Sequence, residues 1–386
     1  MVPVRLHQQR SRPYRPWRSG APYPADRERG PQLETPYFDG FDYHGDGYSY
    51  PADAYADPWD SAGGALNDLF FMLEGRAETS SVFTAYLIET DILGHIGTSE
   101  DCVRLLRRLS ARIEEFRAEH PRHRLHFTFI SDHGMDFTGV RKDRQVDFHS
   151  ELPKAGIRTV EHLAGTAGLA AIPVVHTRLG YVALHTREEQ IAEVGLHVST
   201  LLPVDFAVGR ITAPPGAPPA RDWYGIWTEG RLAFWFGYLP ESSSYLLAGD
   251  GARFGIPMQG QYQRVRDEDL FDSTRDGPYP DFLYRLRTGL APLGVVNPAQ
   301  VLISMHPGYA SVGFTLPGAF DGFTPGTHGA ADSVSSVGIL MSDERDLPEA
   351  VRADSVLALF PALAGRLHQS GLALEPGDPD SNRPLR

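Results

Sequence analysis

Three short segments of the chain combine carboxylate, imidazole and glycine residues at close spacing. They are residues 89–95 (Glu-Thr-Asp-Ile-Leu-Gly-His), 131–134 (Ser-Asp-His-Gly) and 326–329 (Gly-Thr-His-Gly). Carboxylate oxygens and imidazole nitrogens are ligands that zinc and manganese take from proteins. Glycine gives the backbone the freedom to turn and to approach an ion closely. The sequence therefore predicts a metal site, and its candidate ligands are Asp91, His95, Asp132, His133 and His328.

Each segment also has a simpler interpretation when it is taken alone. Asp91 and His95 have the spacing of an ordinary pair on one helix face, although a bend at Gly94 would turn both towards one ion. The 131–134 segment is compatible with an ordinary turn between a strand and a helix. The metal-site hypothesis therefore depends on the three segments occurring together and in this order.

The elements around the first two segments predict how these residues are positioned. Residues 82–89 form a nearly continuous apolar, β-prone run, and residues 125–131 form another. Between them, Thr98 begins a helix that extends to about His120, with apolar residues at helical spacing. A strand, a helix and a strand in this order favour a parallel pair. Ligand sites of open α/β sheets lie at the carboxyl ends of such strands, where both segments occur.

These patterns predict an α/β fold with a mostly parallel central sheet, helices on both faces and an inserted smaller subdomain. Residues 156–164 are predicted to be helical. The predicted divisions are a loop-rich segment at 1–64, a first part of the core at 65–202, an inserted subdomain at 203–297, a second part of the core at 298–372 and a disordered tail at 373–386.

Composition excludes some partners. The formal net charge of −13 argues against nucleic acid, because binding to phosphate backbones requires basic surfaces. The sequence contains no run approaching the roughly 18 apolar residues that a membrane span needs. The single cysteine, Cys102, cannot form a disulfide within the chain and is interpreted as a structural thiol. Oligomeric state and localisation are not encoded in any pattern that we recognise.

Together the three segments resemble the alkaline-phosphatase-like superfamily, and most closely its type I phosphodiesterase/nucleotide pyrophosphatase branch. That branch carries Asp-x-x-x-His, then Asp-His-Gly-Met at a strand end, then a late Gly-Thr-His-Gly; the similarity covers residues 80–180 and 298–370. The resemblance implies two metal ions, usually zinc, and a small phosphate ester as substrate. It assigns one ion to Asp91, His95 and His328, and part of a second site to Asp132 and His133.

The sequence departs from the family pattern near its start. The family places an aspartate at the end of its first strand and a Thr or Ser nucleophile well before the Asp-x-x-x-His segment, but 90 residues precede Asp91 here. Asp39 is a weak candidate for the first, and Thr79, Ser80 and Ser81 are weak candidates for the nucleophile. We therefore expect one complete zinc site in this sequence, and we expect that a late start codon or a deletion removed the remaining motifs.

Three functional hypotheses follow. The first is a two-zinc hydrolase of phosphodiesters or nucleotide pyrophosphates, acting on a small molecule. The second is a truncated or non-catalytic relative that binds a single metal ion. The third is a structural interaction domain in which the three segments coincide by chance, and it predicts no metal binding at all.

Overall fold

The computed structural model describes residues 41–44, 51–76, 82–122, 124–175, 178–256, 258, 260–290, 298–313 and 323–363. Asp39 and the nucleophile candidates Thr79, Ser80 and Ser81 lie outside the described residues. The chain divides into two compact units. The described residues of the larger unit lie between 131 and 339, and those of the smaller unit lie between 41 and 130 and between 340 and 363.

The described helices, in chain order, are α1 (Pro51–Ala56), α2 (Pro58–Arg76), α3 (Glu89–Ile96), α4 (Ser99–Glu119), α5 (Phe148–Lys154), α6 (Ile191–Val198), α7 (Asp267–Thr274), α8 (Phe282–Leu290), α9 (Ser333–Ser336) and α10 (Val356–Leu359). The described strands are β1 (Tyr43–His44), β2 (Ala85–Tyr86), β3 (Thr128–Ile130), β4 (Gln145–Val146), β5 (Arg158–Thr159), β6 (Ala170–Val174), β7 (Tyr181–His185), β8 (Val204–Ile211), β9 (Asp222–Thr228), β10 (Arg231–Leu239), β11 (Ser244–Gly249), β12 (Gln263–Arg266), β13 (Val301–Met305), β14 (Ala310–Ser311) and β15 (Leu340–Ser342).

The larger unit contains a nine-stranded sheet in the order β12-β11-β10-β9-β8-β13-β7-β6-β5. The β5–β6 pair is parallel, and every other neighbouring pair is antiparallel. The α/β prediction is confirmed, but the prediction of a mostly parallel sheet is wrong. Short connections explain the difference, because Glu229 and Gly230 alone join β9 to β10 and both have positive φ angles, of 52° and 72°. Such a two-residue hairpin requires antiparallel strands.

Both faces of this sheet are covered by apolar side chains. Along β8, Phe206 and Val208 belong to one buried cluster and Ala207 to another, as the alternation of side chains across a strand requires. The first cluster is rich in phenylalanine and receives side chains from α7 and α8; the second receives Val194 from α6. Because both faces are buried, the antiparallel strands read as continuous apolar runs, which is a pattern more typical of parallel sheets.

Two predictions for the larger unit differ from the structure. Residues 156–164 do not form a helix: the helix is α5, capped by the Asp147 carboxylate, which accepts a hydrogen bond from the His149 N–H at 2.9 Å. Part of the predicted helix is the short strand β5 instead. The segment predicted as an inserted subdomain, 203–297, contributes β8 to β12 to the nine-stranded sheet and also contains α7 and α8. The domain boundaries themselves stay a prediction.

The smaller unit is built on helices α2 and α4, whose apolar side chains share one buried cluster. Strand β2 pairs in parallel with β1, whereas β3 pairs antiparallel with β15, so the predicted parallel strand–helix–strand unit does not form. Helix α2 begins at Pro58, within the segment predicted to be loop-rich. Proline suits the first helical turn, and the Asp57 carboxylate accepts a hydrogen bond from the Asp60 N–H at 3.1 Å. Among the described residues no helix is long and apolar enough to cross a membrane.

Candidate functional site

Asp91 and His95 lie one turn apart on α3 in the smaller unit. Asp91 Oδ2 is 3.6 Å from His95 Nε2; the histidine side chain is 4% exposed and the aspartate side chain 26%. The helix is regular from Glu89 to Ile96, so the predicted bend at Gly94 is wrong. A spacing of four residues on a helix is sufficient to bring both side chains to one face.

The end of α3 is fixed by the residues that follow it. The Gly97 N–H donates to the Leu93 carbonyl at 2.8 Å, and a Cβ at Gly97 would lie 2.8 Å from the same oxygen. Thr98 then caps α4: its hydroxyl accepts from the Asp101 N–H, and the Asp101 carboxylate accepts from the Thr98 N–H at 2.9 Å. These hydrogen bonds hold the pKa of Asp101 below its usual range. The predicted start of this helix at Thr98 is confirmed, and the cap fixes the corner next to His95.

The pKa of Cys102 on α4 reflects both its burial and the negative charges around it. Burial raises the pKa of its thiol to about 11, and the negative charges of Asp101 and Asp91 add to the shift. The thiol therefore stays protonated near neutral pH, which suits a structural side chain rather than a nucleophile.

In the larger unit, His133 lies in the segment that follows β3. Its Nδ1 is 2.9 Å from the Gly134 carbonyl oxygen. Since a carbonyl oxygen can only accept, this contact suits the neutral tautomer with the hydrogen on Nδ1, in which Nε2 offers its lone pair. That Nε2 atom is 3.5 Å from Oδ1 of Asp132, whose side chain is 38% exposed. One imidazole lone pair and one accessible carboxylate thus lie side by side, an arrangement suited to metal ligation.

The 131–134 segment is held against residues 334–339. Ser131 exchanges two hydrogen bonds with Ile339: its N–H donates to the Ile339 carbonyl at 2.9 Å, and its hydroxyl accepts from the Ile339 N–H at 2.7 Å. A Cβ at Gly134 would lie 2.2 Å from the Val334 carbonyl oxygen and 2.7 Å from that of Val337. Glycine is therefore required at 134 for close backbone approach.

His328 is buried, with its backbone paired to the segment before β7. The Gly180 N–H donates to the His328 carbonyl at 2.7 Å, and the Thr327 hydroxyl donates to the Arg178 carbonyl at 2.6 Å. Gly329 follows with a φ of 88°, and a Cβ there would lie 2.7 Å from Cδ1 of Tyr181. The glycine after His328 thus allows both a left-handed conformation and contact with an aromatic ring.

The second and third predicted segments come together in the larger unit. The His133 and His328 rings stack, with centroids 3.7 Å apart and planes inclined by 8°. Asp136 and Thr327 form a two-way backbone bridge, with N···O distances of 2.7 and 2.9 Å. The His133 and His328 rings therefore lie together in the larger unit, with Asp132 beside His133, and Asp91 and His95 form a pair in the smaller unit.

The sequence analysis missed Asp136, which supports this group. Its carboxylate is buried and accepts hydrogen bonds from the Thr138 N–H at 2.8 Å and from the Thr138 hydroxyl at 3.0 Å. The Asp-x-Thr spacing is a recognisable signal for such a local turn. Its pairing with Thr327, however, is a long-range contact that no local pattern indicates.

The fold and these side chains define an α/β protein with candidate metal ligands in both units. The family model of type I phosphodiesterase/nucleotide pyrophosphatase matches residues 16–217, which are 202 of the 386 residues. The chain belongs to this family, and the resemblance drawn from its motifs is confirmed. The matched segment contains Asp91, His95, Asp132 and His133 and ends before His328.

A solved structure of murine ectonucleotide pyrophosphatase/phosphodiesterase 5 is 10% identical to the chain, with a TM-score of 0.30. The similarity covers 74% of this chain and 52% of that one, so the chain spans about half the length of that protein. No curated protein matches the chain.

Proposed function

We propose that the chain is a metal-dependent hydrolase of small phosphate esters, of the phosphodiester or nucleotide pyrophosphate type, that uses two zinc ions. Family membership supports the reaction class. The observation that carries the metal proposal is the stacked pair of His133 and His328, with Asp132 beside it. We propose Asp91, His95, Asp132, His133 and His328 as ligands, as the family resemblance implies.

The residues of the larger unit fit zinc in donor type. Asp132 and the two histidines supply one carboxylate and two imidazoles, which zinc accepts together. The Nδ1–H of His133 is committed to the Gly134 carbonyl at 2.9 Å, which orients the ring and directs Nε2 to a ligand role.

Bound metal would supply charge stabilisation for the attacking and leaving oxygens of a phosphoryl group. The chain itself would orient the ligands through the Gly134 carbonyl and the Asp136–Thr327 bridge, both of which involve backbone atoms. The nucleophile is proposed from the family pattern to be a hydroxyl, with Thr79 and Ser80 as the candidates.

The alternative is a family member that binds a single metal ion and does not hydrolyse esters. It corresponds to the prediction that only one zinc site is complete in this sequence, whereas the family model itself matches from residue 16 onward. The two proposals differ in the number of ions bound and in turnover, so one experiment separates them.

The experiment measures zinc content by elemental analysis, together with hydrolysis of bis(p-nitrophenyl) phosphate. We expect about two zinc ions per chain, with one lost in each of His95→Ala and Asp132→Ala, and turnover abolished in both variants. His162→Ala, an exposed histidine outside the three segments, serves as the control and should keep the full zinc content. About one zinc, lost with His95→Ala and unchanged in Asp132→Ala, with no turnover, would support the alternative. No zinc at all would contradict both.

A further inference from the structure

A partly buried arginine of the larger unit lies behind the segment that carries His328. Arg285 belongs to α8, which begins directly after Asp281, a buried residue with a positive φ of 48°. The Arg285 N–H donates to the Asp281 carbonyl at 3.1 Å, so the first turn of the helix is closed there. The side chain extends towards residues 330–336, which follow Gly329 and include α9.

The guanidinium joins two stretches of backbone. One nitrogen, Nη1, donates to the Pro280 carbonyl at 2.8 Å and to the Ala331 carbonyl at 3.2 Å. The other, Nη2, donates to the Ser336 hydroxyl. That hydroxyl donates in turn to the Ala330 carbonyl at 3.1 Å. Two successive carbonyls, two and three residues after His328, thus receive their hydrogen bonds from Arg285, one directly and one through Ser336.

Other contacts hold the same segment through different atoms. The Ala331 N–H donates to the Ser304 hydroxyl at 3.0 Å, and the Ser333 N–H donates to the Pro278 carbonyl at 2.9 Å. Gly329 separates His328 from this anchored region and has a left-handed conformation. The backbone pairing of Thr327 and His328 fixes the chain on one side, and because glycine is permissive, the other side depends on how firmly the peptides after Gly329 are held.

Arg285 keeps its positive charge at neutral pH, although it is partly buried. Burial lowers the pKa of its guanidinium to about 10, while the carboxylates of Asp281 and Asp332 oppose that shift. Near neutral pH the side chain therefore remains a cation with its donors intact. Hydrogen bonds from a charged donor are stronger than neutral ones.

We propose that Arg285 is a positioning residue for His328: by holding the Ala330 and Ala331 carbonyls, it fixes the backbone that sets the His328 ring against His133. This inference rests on the proposed function insofar as His328 is a metal ligand. The positioning itself is a property of the metal-free chain and can be tested separately.

The metal-binding test compares Arg285→Gln and Ser336→Ala with Arg253→Gln. Arg253 is a matched control, because its ion pair is with the buried carboxylate of Asp205 in the same unit, outside residues 330–336. The dissociation constant for zinc should rise about 10–100-fold in Arg285→Gln, less in Ser336→Ala, and stay within about twofold in Arg253→Gln. Arg285→Lys keeps the charge without the forked geometry, so an intermediate value is expected.

The second readout is the imidazole NMR signal of His328 in the metal-free chain. It should shift in Arg285→Gln and in Ser336→Ala and stay in place in Arg253→Gln. Unchanged His328 signals together with unchanged zinc affinity would overturn the proposal, as would equal effects in the Arg253 control. If the His328 signals shift but the wild-type chain binds no zinc, the positioning role stands and the proposed function fails. Ser336→Ala keeps the test decisive if Arg285→Gln does not fold.

Discussion

Single residues around His133 and His328 have roles that their types alone did not specify. Gly134 was predicted to give a turn its freedom, yet it is needed because two carbonyl oxygens lie where a Cβ would be. Gly329 has the left-handed backbone expected of a glycine and also contacts the Tyr181 ring. Glycine next to a candidate ligand therefore reflects different constraints at the two positions.

Gly134→Ala should destabilise the larger unit. The new Cβ would lie 2.2 Å from the Val334 carbonyl oxygen, a distance that requires the backbone to shift. We expect the free energy of unfolding, measured by urea denaturation, to fall by about 1–3 kcal/mol. Gly64→Ala is the control, because Gly64 is exposed within α2 with nothing within 4 Å of the added Cβ. That variant should gain about 0.5–1 kcal/mol. Equal stability of Gly134→Ala and the wild type would contradict the contact.

The candidate metal ligands could be proposed from the sequence, but the contacts that support them could not. Asp132, His133 and His328 stand in recognisable segments, and the structure groups them in one unit. Arg285 gave no signal, because its partners are backbone carbonyls and a serine in a segment distant along the chain. Any residue type has a carbonyl, so a sequence does not show which carbonyls need a donor.

At the scale of elements, the sequence predicted the helix at Thr98 correctly, but it did not predict which strands pair or in which direction. The helix that begins at Thr98 was predicted from its cap and its apolar spacing, and both features are present in α4. Strand β13 is a short apolar run, and nothing in that run specifies its antiparallel pairing with β7 and β8. Apolar composition reports burial on both faces, and the central antiparallel strands β8 and β9 are buried on both faces as a parallel strand would be.

Thr98→Ala should weaken α4 through loss of its capping box. The hydroxyl of Thr98 accepts from the Asp101 N–H at 3.2 Å, and no alanine atom replaces it. We expect a loss of about 1 kcal/mol in the free energy of unfolding near neutral pH. Thr98→Ser keeps a cap oxygen and should lose much less, so equal losses in the two variants would show that the cap does not stabilise the helix.

The same cap gives the stability a dependence on pH. Hydrogen bonds from the backbone and side chain of Thr98 hold the pKa of Asp101 below its ordinary value. The contribution of Asp101 to the free energy of unfolding is therefore present above the pKa of the unfolded chain, and it is lost as the pH falls through the lower pKa of the folded chain. The acid-dependent part of the stability should therefore be smaller in Thr98→Ala than in the wild type.

At the scale of the whole molecule, the described tyrosines with displaced pKa values lie in the larger unit. Burial raises the pKa of Tyr181 and of Tyr224 to about 12, and it also raises the pKa of Tyr245 and Tyr279. The nine-stranded sheet and its aromatic cluster keep these phenols out of water. At alkaline pH, the stability of the larger unit should therefore depend on several buried tyrosines at once.

Tyr181→Phe tests this effect on one phenol. An unfolded tyrosine ionises near pH 10 and the folded Tyr181 near pH 12, so within that window the unfolded chain has lost a proton that the folded chain keeps. The free energy of unfolding must then fall as the pH rises. Removing the hydroxyl should make this fall shallower by about 1.4 kcal/mol per pH unit. The measurement is urea denaturation at several pH values, followed by the fluorescence of Trp223, Trp227 and Trp235 on β9 and β10 of the same unit. Tyr224→Phe should give the same change in slope, and near neutral pH neither variant should show it. Parallel slopes for wild type and Tyr181→Phe across the window would mean that the Tyr181 hydroxyl reaches water in the folded chain, and that the sheet does not enclose it.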